Sequence, residues 1–378
     1  MRGFAGSEPV FQYDAAWLDD GFSIGADLPL VPAPQRPVQG HRLFAFLEDR
    51  ALPAAVLPLY KEEPADPRLI EGVSDDEALS VLLPDSGQSF GAAAIYPSGT
   101  SETPAAEPIS VAAQMDDLVY SAHAYERGKA RLNECQLLRR AVTLPGPKLR
   151  FAMDKSGEPV EALIRTLSDE TDLPLWRHFS LVLAERCGIR CVKSELLRQM
   201  GESVLVSSRA DRGGDGRPLF ALTGAALSVH PSGEPGARKA PGILELADIL
   251  NREGAAPSED LPQLYRRMLF RLLTGSAGIT GRETLFTREA YGWRLAPAQG
   301  FALGETAGAQ LTADGRRPIP STDAAVTLSR YFGVSSRDAK AMLSDMKRVL
   351  AGWDAIAAEV GADAREIAYM SQAFQTDF

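Results

Sequence analysis

The chain has 378 residues, 45% of them hydrophobic, which suits a globular protein of two or three domains. No run of about 18 uninterrupted apolar residues exists, so no membrane span is expected, and the opening "MRGFAGSEPVFQYD" carries no apolar signal core. Residues 1–120 hold 6 Lys+Arg and 19 Asp+Glu, a net of −13, whereas the remainder holds 34 and 31, a net of +3; the acidic first third therefore argues against non-specific binding to phosphate backbones.

Residues 1 to about 125 read as mixed α/β. "LFAFLEDRALPAAVLPLY" is apolar and broken by Pro53 and Pro58, "SDDEALSVLL" is a short helix opened by a capping box from Ser74 to Glu77, and "GAAAIYPSGTSETPAAEP" is a strand running into a linker. From about 135 to 230 the pattern predicts a small sheet with one helix. "KLRFAM" and "VEALIRTL" are strands joined by a turn in "DKSGEP", and "LPLWRHFSLVLAERCG" is a helix that ends at Gly188. "KSELLRQMGESVLVSSRADR" is a strand, a turn at Gly201 and a second strand, and residues 213–242 are a turn-rich loop or flap.

The remainder is mostly helical: "ILELADIL", "LPQLYRRMLFRLLTG", then a short strand "WRLAP", then a C-terminal bundle. In its long helix Ala339, Met342, Met346, Leu350 and Trp353 form an apolar stripe that belongs in a core. The three cysteines, Cys135, Cys187 and Cys191, are too few for a disulfide framework and fit a reducing cytoplasm. "CGIRC" reads as two small apolar residues flanking a helix end rather than as a metal site.

The words "FQYDAAWL", "SDDEALSVLLPDSGQSFGAAAIYPSG", "SSRADR", "YRRMLFRLLTG", "WRLAPAQGF" and "LSRYFGVSSRDAKAMLSDMKRVLAGWDAIA", in this order over nearly the whole chain, resemble the HipA family of bacterial serine/threonine kinases, often toxins of toxin–antitoxin pairs. The resemblance implies an α+β, bilobal, protein-kinase-like fold. It divides into an N-terminal α/β subdomain over 1–105, a small lobe with hinge over 106–230 and a helical large lobe over 231–378.

The resemblance also implies site positions. In "TLPGPKL" the glycine-rich phosphate stretch keeps Gly146 and Lys148, but Pro145 and Pro147 lack the N–H groups that a phosphate cradle needs. The strand lysine that grips phosphates becomes Arg165, and its partner on the facing helix becomes Arg177. These two arginines either point to solvent or together form an anion site. The adenine hinge falls on Ser208, Arg209, Ala210 and Asp211. Asp211 either accepts from ribose hydroxyls or pairs with Arg209 or Arg212.

The catalytic word Asp-x-His-x-x-Asn falls on Gly278, Thr280 and Glu283, and the second metal-binding Asp falls on Gly300, preceded by Gln299. Mg²⁺ needs hard oxygen ligands, and a general base contributes roughly 10²–10⁴-fold; Gly278 and Gly300 supply neither. The expectation is a catalytically inactive pseudokinase with no metal site and no required cofactor. Any bound ATP or other nucleotide is expected to be weak and independent of Mg²⁺. A protein partner is expected, either an antitoxin-like regulator or an active kinase, basic and docking on the acidic N-terminal region. The alternative is an active, atypical kinase or phosphotransferase that recruits Glu283, Glu305, Asp215 or Asp211 to hold a metal.

Overall fold

The computed structural model describes residues 9–38, 43–50, 90–93, 109–143, 150–167, 171–228, 241–276, 281, 283–303, 311–315 and 317–371. The part of the apolar segment that contains Pro53 and Pro58, the capping box at Ser74 and most of the strand-to-linker stretch near residue 95 lie outside them. Two short N-terminal helices, α1 (Ala15–Asp20) and α2 (Ala45–Glu48), precede a helical pair, α3 (Val111–Glu126) and α4 (Leu132–Ala141). Helix α3 falls at the end of the stretch read as mixed α/β, where no particular element was expected, and α4 follows it.

An antiparallel sheet follows, built from β1 (Val142–Thr143), β2 (Arg150–Lys155), β3 (Glu158–Ile164), β4 (Ser194–Gln199) and β5 (Glu202–Ser208), with helix α5 (Leu173–Arg186) inserted before β4. Its spatial order is β1-β2-β3-β5-β4. Both hairpins expected from the sequence form, with Ser156–Gly157 and Met200–Gly201 as two-residue turns at positive φ, the backbone twist that matches paired strands. Alternation sends Phe151, Met153, Val160, Ala162, Ile164, Val204 and Val206 to one face, where Met115, Leu118, Val119 and Leu138 of α3 and α4 cover them. The other face turns Leu163 and Leu205 toward Leu173 of α5.

Helix α5 forms because its other apolar residues, Leu175, Trp176, Phe179 and Leu183, recur at helical spacing and enter the main core. Asp172 caps its start by accepting from the Leu175 amide at 3.1 Å, and the chain turns at Gly188 as expected. Burial pushes the thiols of Cys187 and Cys191 up to about 12, in keeping with their packing as small apolar groups.

The second lobe holds α6 (Gly224–Leu227), α7 (Ile243–Glu253), α8 (Pro257–Thr274), α9 (Thr322–Leu328), α10 (Ser336–Leu350), α11 (Trp353–Glu359) and α12 (Ala364–Ser371). A three-stranded antiparallel sheet, β6 (Ala221–Thr223), β7 (Leu285–Glu289) and β8 (Gly292–Leu295), lies among them. Strand β6 sits inside the stretch expected to be a loop or flap. The long C-terminal helix is divided, with α10 ending at Leu350 and α11 starting at Trp353. Of the predicted stripe, Ala339, Met346 and Leu350 are buried, while Met342 and Trp353 pack half-buried against the same core. Among the described residues no helix is long and apolar enough to cross a membrane.

Candidate functional site

Strand β5 runs directly into the predicted hinge. The Ser208 hydroxyl accepts from the Lys193 amide at 3.1 Å, and Ala210 is buried beside Phe90, Leu181 and Ala296. Arg209 donates twice to Asp211, from Nε to Oδ1 at 3.0 Å and from Nη2 to Oδ2 at 2.7 Å. Arg212 Nη1 and the Gly91 amide each reach Asp211 Oδ2 at 2.7 Å. Burial acts to raise the Asp211 pKa, but the Arg209 and Arg212 guanidinium groups and the Gly91 amide outweigh it and hold the carboxyl below its usual value. Of the two expectations for Asp211, this geometry is the ion pair. Oδ1 is held within the hinge by Arg209, and Oδ2 also ties the hinge to the segment around Gly91.

Between the sheet and the second lobe lies a cleft of about 230 Å³ lined by Arg150, Glu161, Leu163, Arg177, Leu205, Ser207 and Gln299. The register explains this set. Glu161 stands opposite Ser207 and Leu163 opposite Leu205, so alternate residues of β3 and β5 face the cleft together. Arg165, expected here as the strand cation, follows the end of β3 instead. It pairs with Glu202 at 3.8 Å, its carbonyl accepts from His123 Nε2 at 3.0 Å, and it borders a different, apolar groove under α3 and α4. Arg165 and Arg177 therefore do not line one cavity, which corrects the pairing drawn from the sequence. An anion, Glu161, occupies the strand and a cation, Arg177, the helix, the reverse of the lysine and glutamate that the resemblance implies.

Across the cleft, the chain after β8 is fixed to α5. The Ala298 amide donates to Arg190 O at 2.9 Å, and the Val192 amide donates to Ala298 O at 3.0 Å. The Phe301 amide donates to the Ser180 hydroxyl at 3.0 Å. Gly300 has φ +130, which L side chains rarely adopt, and a Cβ there would lie 3.4 Å from Arg177 Cδ and 3.7 Å from its Nη1. The position that should carry a metal-binding aspartate thus has no side chain and abuts a buried guanidinium.

Glu283 does not stand ready for a metal either. It accepts from Arg271 Nη2 at 2.9 Å, and Arg271 in turn lies over the Phe301 ring at 5.0 Å. Asp215 pairs with Arg217 on an exposed turn. Gly278, Lys148 and Glu305 lie outside the described residues. Among those described, no group of three or more His, Cys, Asp or Glu residues is placed to hold a metal ion.

Sequence reasoning missed Arg150, Glu161, Ser207 and Gln299. The available signal was a charged residue within each of two apolar strands, "RFAM" and "EALI", facing a strand end at "PAQGF".

Comparison with known proteins bears on the whole arrangement. No curated protein matches the chain. The HipA from Shewanella oneidensis MR-1, solved with HipB and operator DNA, is similar over 97% of this chain and 89% of its own, with a TM-score of 0.61 and 15% identity. The Helicobacter pylori proinflammatory kinase CtkA aligns over 60% of this chain and 88% of its own, with a TM-score of 0.43 and 8% identity. The first likeness gives the fold, an α+β bilobal arrangement of the HipA type. The family described as the HipA-like C-terminal domain matches residues 143–353, a span that contains the hinge, the cleft and the second-lobe core, and to that family the chain belongs.

Proposed function

We propose that this chain is a pseudokinase of its family, acting by binding a protein rather than by transferring phosphate. The observation that carries the reading is Gly300, where the expected metal ligand is absent and the Arg177 guanidinium occupies the neighbouring space. A divalent cation placed there would find no carboxylate from this position, and Mg²⁺ needs hard oxygen ligands. Purified protein is expected to show no autophosphorylation and no ATP turnover above background with Mg²⁺ or Mn²⁺. Metal-dependent transfer that disappears in Glu283→Ala would overturn the reading in favour of a rewired enzyme.

The HipA of S. oneidensis is held in a complex with HipB and operator DNA, and that likeness supports a protein partner here, within a toxin–antitoxin type of system. The net charge of −13 over residues 1–120 against +3 for the rest favours a basic partner docking on the N-terminal region. Opposite charges mainly raise the association rate, and salt screens that gain over about 8 Å at physiological strength. Association is expected to slow as salt rises and to weaken in Asp75→Asn/Asp76→Asn/Glu77→Gln, measured by surface plasmon resonance with the captured partner. A partner whose binding survives both high salt and deletion of residues 1–105 would exclude this docking face.

A further inference from the structure

Arg150 opens β2 and turns its side chain into the cleft, where it is 17% exposed and Glu161 is 11% exposed. One guanidinium nitrogen serves both sides of the cleft. Nη1 donates to Glu161 Oε1 on β3 at 2.5 Å and to Gln299 Oε1, on the segment after β8, at 2.9 Å. Neither end hangs on a free loop. Glu161 sits in the middle of the sheet opposite Ser207, whose hydroxyl is a distant second donor at 3.5 Å. Gln299 is flanked by Ala298 and Phe301, whose amides are tied to Arg190 and Ser180. The contact therefore spans the cleft from β2 to the segment after β8.

We propose that Arg150 is a built-in clamp, an autoinhibitory contact that keeps the interlobe cleft shut. A mobile ligand carrying charge into this cleft has to displace the guanidinium from Glu161, leaving a largely desolvated carboxylate short of its main donor, which is unfavourable. Closure is then a property of the chain alone and needs neither nucleotide nor metal. The proposal goes beyond the binding function above and holds whether or not the chain transfers phosphate.

Hydrogen–deuterium exchange on the full chain, without ligand, tests it. Gln299→Ala removes only the arm that crosses the cleft; Arg150→Met removes both arms. Each is expected to raise exchange by about tenfold, the change that loss of one charge-assisted hydrogen bond gives, in peptides covering residues 150–153 and 298–303. A peptide covering residues 261–273 of α8 should keep its native rate. Arg348→Met, which removes the exposed ion pair to Asp345 on α10, far from the cleft, should leave all three peptides unchanged. Should Arg150→Met fail to fold, Gln299→Ala decides alone. Native exchange in both cleft peptides of Gln299→Ala, or acceleration spread equally into α8, would overturn the clamp.

Discussion

Asp211→Ala is expected to be the most damaging single substitution in the hinge, costing about 3–5 kcal/mol, as does breaking a buried ion pair from one side. The Asp211 side chain is 5% exposed, and those of Arg209 and Arg212 are 2% and 7% exposed. Removing the carboxylate strips both arginines of a buried counter-charge and the Gly91 amide of its acceptor. Against a total stability of roughly 5–15 kcal/mol, that loss brings the domain close to unfolding. Urea denaturation provides the measurement, with Asp215→Ala as the control, because Asp215 and Arg217 are exposed and such pairs change stability by at most about 0.5 kcal/mol. Equal midpoints for the two variants would refute the structural role. The pH dependence follows from the direction of the shift. Because the folded carboxyl is held low, its contribution is complete above the unfolded value of about 3.9. It is lost only as pH falls through the still lower folded value. The wild-type midpoint should therefore lose this contribution only in acid.

The second large effect concerns repair of the missing groups. Gly278→Asp, Glu283→Asn and Gly300→Asp together are expected to yield a less stable protein that remains inactive. At φ +130 an aspartate at position 300 carries backbone strain of about 1–3 kcal/mol. Its side chain would also emerge beside Arg177, whose Cδ lies 3.4 Å from the Cβ position. Glu283→Asn removes a charge from Arg271, whose side chain is 4% exposed. Groups that act as a unit in catalysis do not add one by one, and Glu161 still faces the cleft where a phosphate-binding cation is needed. Thermal unfolding together with Mg²⁺-dependent autophosphorylation checks both halves. Measurable transfer by the triple variant would mean that the small lobe is still competent.

Much of this was legible from local chemistry. The caps and glycines around α5, the two hairpin turns and the order of strands before helices are set within a few residues of sequence. The alignment that puts Glu283 and Gly300 at those positions rests on the flanking apolar words on either side. Other elements were obscured. Helix α3 interrupts its apolar positions with Asp116 and Asp117, and β7 begins just past the catalytic word, which ends at Glu283. The cleft itself depends on strand register. A shift of two or four residues along β3 keeps the same face but exchanges Arg165 for Leu163 or Glu161, and only pairing with β5 decides which reaches the cleft. The bridge from Arg150 to Gln299 spans 149 positions of sequence and leaves no local pattern.

The span of that bridge has a kinetic and cellular corollary. A cleft joined by a diffusible ligand opens and closes with the ligand's supply, since occupancy follows the ratio of its concentration to its dissociation constant. A tethered side chain has an effective concentration fixed by chain geometry, in the millimolar range for short flexible links and set by fold alone for rigid ones. With Arg150 anchored on β2 and Gln299 anchored against α5, the proposed clamp would hold the cleft at a spacing independent of the supply of nucleotide or metal.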